Sequence, residues 1–313
     1  MPNDTIQIRG LTKRFEGSIA VDDLTLEVAA GEIFGLVGPD GAGKTAVLRM
    51  MAGIMPADAG SITIAGCDVI AHPEAVKFQI SYMPQRFGLY EDLTVDENIR
   101  FYADVFRIGR RQREQRSTEL LRSCGMEDFR KRLAGKLSGG MKQKLGLVCA
   151  LIHTPKVLLL DEPTNGVDPI SRREFWAMLY GLAEQGVTIL SSTAYLDEAE
   201  RCNRVALMDR GRLLLCDTPS RLKELIPGAV VAITSSQARR IRDRLSGSDG
   251  VSVAVLVGDS VHFFVDDAPR RVAEFRAELN QGGISYDEIA QVPPTMEDLF
   301  VRSVASREAG VAQ

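Results

Sequence analysis

The residues best placed to do chemistry lie in a run of eight, Gly38-Pro39-Asp40-Gly41-Ala42-Gly43-Lys44-Thr45, which fits G-x-x-x-x-G-K-[ST]. Gly38, Gly41 and Gly43 let the backbone wrap until its N–H groups point inward at phosphate oxygens. Lys44 supplies a mobile positive charge for β- and γ-phosphates, and Thr45 a hydroxyl ligand for Mg²⁺. A helix opening here adds its dipole to the same anion. Further along, Val157-Leu158-Leu159-Leu160 ends in Asp161-Glu162. Adjacent acids at a buried strand end need a partner, because an unpaired buried charge is costly. Mg²⁺ is that partner for Asp161, and Glu162 is then free to orient an attacking water as general base. Between the two lies Leu137-Ser138-Gly139-Gly140-Met141-Lys142-Gln143. Ser138 can cap the following helix, and Gly139-Gly140 lets the first N–H groups of that helix approach a second anion closely.

The elements that must position these residues follow from periodicity. Ile6 and Ile8 alternate with polar neighbours, as do Leu24, Leu26 and Val28, which predicts half-buried strands. The apolar run 33–37 predicts a strand ahead of the glycine loop, and 44–54 has helical composition. Residues 60–66 form another strand between turn residues, and Thr94-Val95-Asp96-Glu97 is a capping box opening a helical region. The basic stretch 107–116 reads as a solvated helix or loop. Strand 157–160, helix 172–184, strand 187–190, segment 196–202 and strand 205–208 then alternate, so the sheet should be mostly parallel and covered by helices. A boundary falls within 219–228. Beyond it, strand 230–234, helix 237–245, a hairpin through Gly258-Asp259, helix 270–279 and a last strand at Ile284 give the order β-α-β-β-α-β of a ferredoxin-like unit. A capped helix opens at Thr295-Met296-Glu297-Asp298.

Composition narrows the function. The 313 residues carry a net charge of −4, against the basic excess of a general nucleic-acid binder. Five cysteines without a Cys-x-x-Cys pair read as reduced thiols and not as a disulfide framework or zinc site. The N-terminus does not read as a signal peptide, and no apolar run approaches the roughly 18 to 20 residues a membrane span needs.

The motif at 137–143, with the others in the same order, resembles the signature of ABC (ATP-binding cassette) ATPases, and the resemblance covers roughly the first 220 residues. It implies an α/β fold: a P-loop NTPase cassette over 1–222, with a helical signature subdomain over about 87–155, plus a small α+β domain over 223–313. In the family, ATP with Mg²⁺ is sandwiched between two cassettes, so Ser138, Gly139 and Gly140 would close over nucleotide held by another subunit. The resemblance further implies that Phe15 stacks on adenine and that Gln85 approaches Mg²⁺ and the γ-phosphate and faces the membrane subunit. Asp168, in Gly166-Val167-Asp168, would cross the dimer interface. Tyr82-Met83-Pro84-Gln85 onward, the signature region and the terminal Pro293-Pro294-Thr295-Met296 resemble drug-exporter ATPases of the daunorubicin-resistance type and the first half of tandem-cassette exporters. The implied partners are transmembrane permease subunits and a second cassette, with the chain peripheral at the cytoplasmic face of the membrane and no nucleic acid involved.

Three positions depart from the family. Its switch histidine should fall in Ser192-Thr193-Ala194-Tyr195, where Ala194 stands instead. Losing one such donor elsewhere in enzymology lowers rate by about 10²–10³. Ala46 replaces the usual second hydroxyl after Thr45, and Asp40 puts a negative charge near phosphate. A heterodimer with a cassette that keeps the histidine is therefore the favoured arrangement, unless Tyr195 or Thr193 substitutes for it. Alternatives are a soluble ABC protein of translation or repair, a regulatory ATP binder that barely hydrolyses, and an importer subunit. The transported substrate is invisible in this chain.

Overall fold

The computed structural model describes residues 4–308, which divide after Cys216 into two compact units. In the first unit, β1 (Asp4–Phe15) and β2 (Ser18–Ala29) form a long hairpin, and β3 (Ile33–Val37) leads into the glycine loop and α1 (Lys44–Met51). Then come β4 (Ala59–Ile64), β5 (Cys67–Asp68), α2 (Pro73–Lys77) and β6 (Ile80–Met83). A helical layer follows: α3 (Val95–Val105), α4 (Arg110–Ser123) and α5 (Gly139–Leu151). The unit closes with β7 (Val157–Asp161), α6 (Pro169–Glu184), β8 (Thr188–Thr193), the short α7 (Leu196–Ala199), β9 (Arg204–Asp209) and β10 (Arg212–Asp217).

Two sheets build this unit. The central one has the order β10-β9-β3-β8-β7-β6 and is parallel at the pairs that carry the chemistry, β9·β3, β3·β8, β8·β7 and β7·β6. Its strands β3, β7 and β8 are buried at every position, as continuous apolar runs between helices should be. The other sheet, β2-β1-β4-β5, is antiparallel, and β2 alternates buried and exposed residues because one face packs on the core and the other meets water. Ile8, Leu26, Leu36, Val47, Leu48 and Leu159 meet in the shared core. The helical layer has a core of its own, around Ile99, Leu121, Leu145 and Val148. Thr94 and Glu97 make the expected reciprocal capping box at α3.

The second unit holds α8 (Pro219–Glu224), β11 (Ala229–Thr234), α9 (Ala238–Leu245), β12 (Val251–Val257), β13 (Ser260–Val265), α10 (Ala268–Gln281), β14 (Glu288–Val292) and α11 (Met296–Glu308). Elements β11 to β14 run β-α-β-β-α-β in an antiparallel sheet ordered β12-β13-β11-β14, the ferredoxin-like arrangement. The expected last strand at Ile284 lies instead at Glu288–Val292. Ile284 donates its N–H to Leu279 O after Gly283 turns at φ +63°, and its buried side chain closes the end of α10. No helix among the described residues is long and apolar enough to cross a membrane.

Candidate functional site

β3 delivers the chain to the glycine loop at the carboxyl edge of the parallel sheet, where ligands of such sheets bind. Gly43 is the N-cap of α1 at φ +100°, and a Cβ there would meet Ala20 O at 2.2 Å. Only glycine fits this turn. No side chain caps α1, so the first amides of the helix stay available to an anion.

Around this loop lies a cavity of about 450 Å³ lined by Asp40, Gly41, Ala42, Gly43, Lys44, Thr45 and Ala46, and closed by Ala20, Gln85, Glu162 and Asn165. Lys44, only 4% exposed, donates from Nζ to Gly38 O at 2.7 Å and Pro39 O at 3.0 Å, and lies 3.2 Å from Glu162 Oε1. Thr45 Oγ1 donates to Asp161 Oδ1 at 3.0 Å. Neighbouring strands complete the surroundings of Asp161: Ser192 Oγ donates to Oδ1 at 2.8 Å and Tyr82 OH to Oδ2 at 3.2 Å. Burial, and then the charge of Asp161, push the Tyr82 phenol up to about 12, so it stays a donor throughout the physiological range. Glu162 turns off β7 in the left-handed region at φ +48°. Its N–H is held by Ser192 O at 3.2 Å and Ser192 Oγ at 3.1 Å. The turn aims its carboxylate at Lys44, while Asn165 Nδ2 donates to Oε2 at 3.3 Å.

The structure thus joins most of the residues singled out from sequence. Asp161 sits buried, bonded to the Thr45 hydroxyl of the cavity wall. Gly38 is packed behind the cavity, where a Cβ would meet Met208 O at 2.3 Å. Phe15 does not line the cavity: it is exposed at the β1–β2 turn, with Lys13 Nζ 5.6 Å from its ring centroid. Ser138, Gly139, Gly140 and Asp168 do not line it either, and form a second cluster. Ser138 caps α5 by accepting from Met141 N–H, and Asp168 caps α6 by accepting from Ile170 and Ser171 N–H. A Cβ on Gly140 would meet Ser171 Oγ at 2.3 Å, so the two caps pack edge to edge. Bonds from Ser171 hold the Asp168 carboxyl below its ordinary range and keep it ionised.

Sequence reasoning missed Ser192, Tyr82 and Asn165. The available signal was Ser191-Ser192-Thr193, three small polar residues continuing an apolar strand; Ser192 pairs in register with Asp161. Among the described residues no group of three or more His, Cys, Asp or Glu could hold a metal. A divalent ion here would draw on the Thr45 hydroxyl, the Asp161 carboxylate and Gln85, with remaining ligands from substrate oxygens and water, which is the usual manner of Mg²⁺.

The ABC transporter family profile matches residues 21–165. The probable multidrug ABC transporter ATP-binding protein YbhF of Escherichia coli K12 is 45% identical over 311 residues, 96% of this chain and 52% of that protein. The chain therefore spans about half the length of that relative. The daunorubicin resistance ATP-binding protein DrrA2 of Streptomyces coeruleorubidus is 34% identical over 312 residues, covering 98% of this chain and 97% of that one. A solved ATP-binding subunit of an ABC transporter superposes with a TM-score of 0.64 at 30% identity, over 71% of this chain and 92% of its own.

Proposed function

Since the chain belongs to the ABC transporter ATP-binding family, we propose that it is the ATP-hydrolysing motor subunit of a membrane exporter. The observation that carries this reading is the paired attachment of the two strand-end acids to the phosphate loop, Asp161 to Thr45 and Glu162 to Lys44. Loop amides and Lys44 would receive the β- and γ-phosphates, and Thr45, Asp161 and Gln85 would hold Mg²⁺. When bound, Mg²⁺ neutralises charge on the phosphate oxygens. Glu162 takes the proton of the attacking water whose oxygen bonds to the γ-phosphorus, and ADP leaves.

The cluster of Ser138–Gly140 with Asp168 stands apart from the cavity and carries capping groups at two helix ends. That separation supports its use on nucleotide held by a second cassette, with Phe15 reaching adenine from the exposed hairpin turn. The partners proposed are permease subunits and a second cassette, with a heterodimer favoured by Ala194, and the site of action is the cytoplasmic face of the membrane. The likeness to multidrug and daunorubicin-resistance proteins supports export of a hydrophobic compound.

The test is co-purification of the tagged chain with polytopic membrane proteins encoded beside it, followed by MgATP hydrolysis by the complex. Failure to bind labelled ATP would overturn the motor reading. Equal hydrolysis by the chain alone and in the complex would overturn the coupling. Ala194→His separates the dimer arrangements: a gain of about tenfold or more supports a degenerate site working beside a complete one, and robust turnover by the unmodified chain without a partner cassette overturns it.

A further inference from the structure

Ala194 lacks the donor that its family position would supply, and the next residue, Tyr195, reaches the Glu162 carboxylate through Asn165. Tyr195 OH lies 3.3 Å from Asn165 Oδ1, and Asn165 Nδ2 lies 3.3 Å from Glu162 Oε2. The direction of these bonds is forced. A carboxylate only accepts, so the Asn165 amide must turn its NH₂ to Glu162, which leaves Oδ1 to accept from the phenol. Tyr195 is itself braced. Its N–H donates to Thr193 Oγ1 at 2.9 Å. The Arg172 guanidinium stacks 4.6 Å from its ring centroid, fixed in turn by Asp197 and Glu198 at 3.6 Å each.

We propose that Tyr195 and Asn165 are positioning residues for hydrolysis: the phenol orients the Asn165 amide, which holds Glu162 toward the attacking water and sustains a residual turnover in the absence of a histidine at 194. Neither side chain touches the phosphate in this scheme. Lys44 holds Oε1 of the same carboxylate, so the relay fixes the second oxygen and with it the plane of the base. When phosphate draws Lys44 away, the Asn165 bond is the contact that remains. This rests on the ATPase reading above.

The experiment measures MgATP affinity by titration and single-turnover hydrolysis with the full chain in excess. The proteins are wild type, Tyr195→Phe, Asn165→Ala, Ala194→His and the Ala194→His/Tyr195→Phe pair, with Glu162→Gln as the reference for base-independent hydrolysis. Removing the phenol should lower the rate constant about three- to tenfold, the worth of one neutral hydrogen bond, with affinity unchanged within about twofold. Asn165→Ala should lower it at least as much. With histidine at 194 the same Tyr195→Phe change should have less than about a twofold effect, since coupled groups are not additive. An unchanged rate in Tyr195→Phe, an equal loss in both backgrounds, or a loss of affinity accompanying the loss of rate would each overturn the relay. Wild-type protein that binds no ATP would overturn the ATPase reading and the relay together, whereas binding with hydrolysis no faster than that of Glu162→Gln would overturn the relay alone.

Discussion

Lys44 and Glu162 face each other at 3.2 Å with their side chains 4% and 9% exposed. Each is the other's counter-charge, because two ions removed from water are tolerated only when paired and hydrogen-bonded. The two carbonyls of Gly38 and Pro39 take the remaining bonds of the ammonium. Phosphate entering the cavity would therefore compete with a carboxylate for Lys44, coupling nucleotide arrival to release of Glu162.

Lys44→Ala should weaken ATP binding by about 10- to 150-fold, the value of a charge-assisted hydrogen bond. It also strands Glu162 as a buried charge with only Asn165 as a donor, so the thermal midpoint should fall even without nucleotide. Titration with labelled ATP and a melting curve check both arms. A variant with normal affinity would contradict the assignment of the loop.

Glu162→Gln keeps the shape and the bond to Asn165 but removes the base. ATP affinity should hold within a few fold, while phosphate release slows by about 10²–10⁴. The same variant should accumulate an ATP-bound dimer on size exclusion, since closure no longer ends in hydrolysis.

Gly43→Ala puts a methyl group 2.2 Å from Ala20 O and a side chain at φ +100°. Loop geometry should be lost, with ATP binding and thermal stability falling together; the backbone term alone is about 1–2 kcal/mol. Gly247→Ala, at a position with open space and no positive φ, is the matched control and should leave both unchanged.

In the second unit, Asp298 is fully buried between His262 Nδ1 at 2.8 Å and the N–H and hydroxyl of Thr295 at 2.9 and 2.8 Å. Burial alone would raise its pKa, but His262 and Thr295 outweigh it and hold the carboxyl below its ordinary range. A depressed folded-state pKa means stability that is complete above the unfolded value, about 3.9, and is lost as pH falls through the folded one. The contact of α11 with β13 should therefore hold at neutral pH and loosen below about pH 4. Amide exchange along residues 296–304 checks this, and Asp298→Asn should abolish the acid step.

The glycine loop, the acid pair and the signature were legible in sequence because each is a local device: a few consecutive residues whose backbone freedom, charge or capping oxygen acts on its neighbours. The order of strands and helices was legible for the same reason, since burial on one face or both leaves its period in the chain. The end of α10 was not, because one apolar residue after two glycines serves equally as a strand or as the hydrophobic closure of a helix, and Ile284 is the latter. Tertiary structure alone decided what surrounds the two acids. Ser192 and Tyr82 reach Asp161 from 31 and 79 residues away, and Tyr195 reaches Asn165 across 30. Those contacts depend on which strands the parallel sheet makes adjacent, β6 and β8 on either side of β7, and strand adjacency is set by packing over the whole core, not by any short stretch of residues.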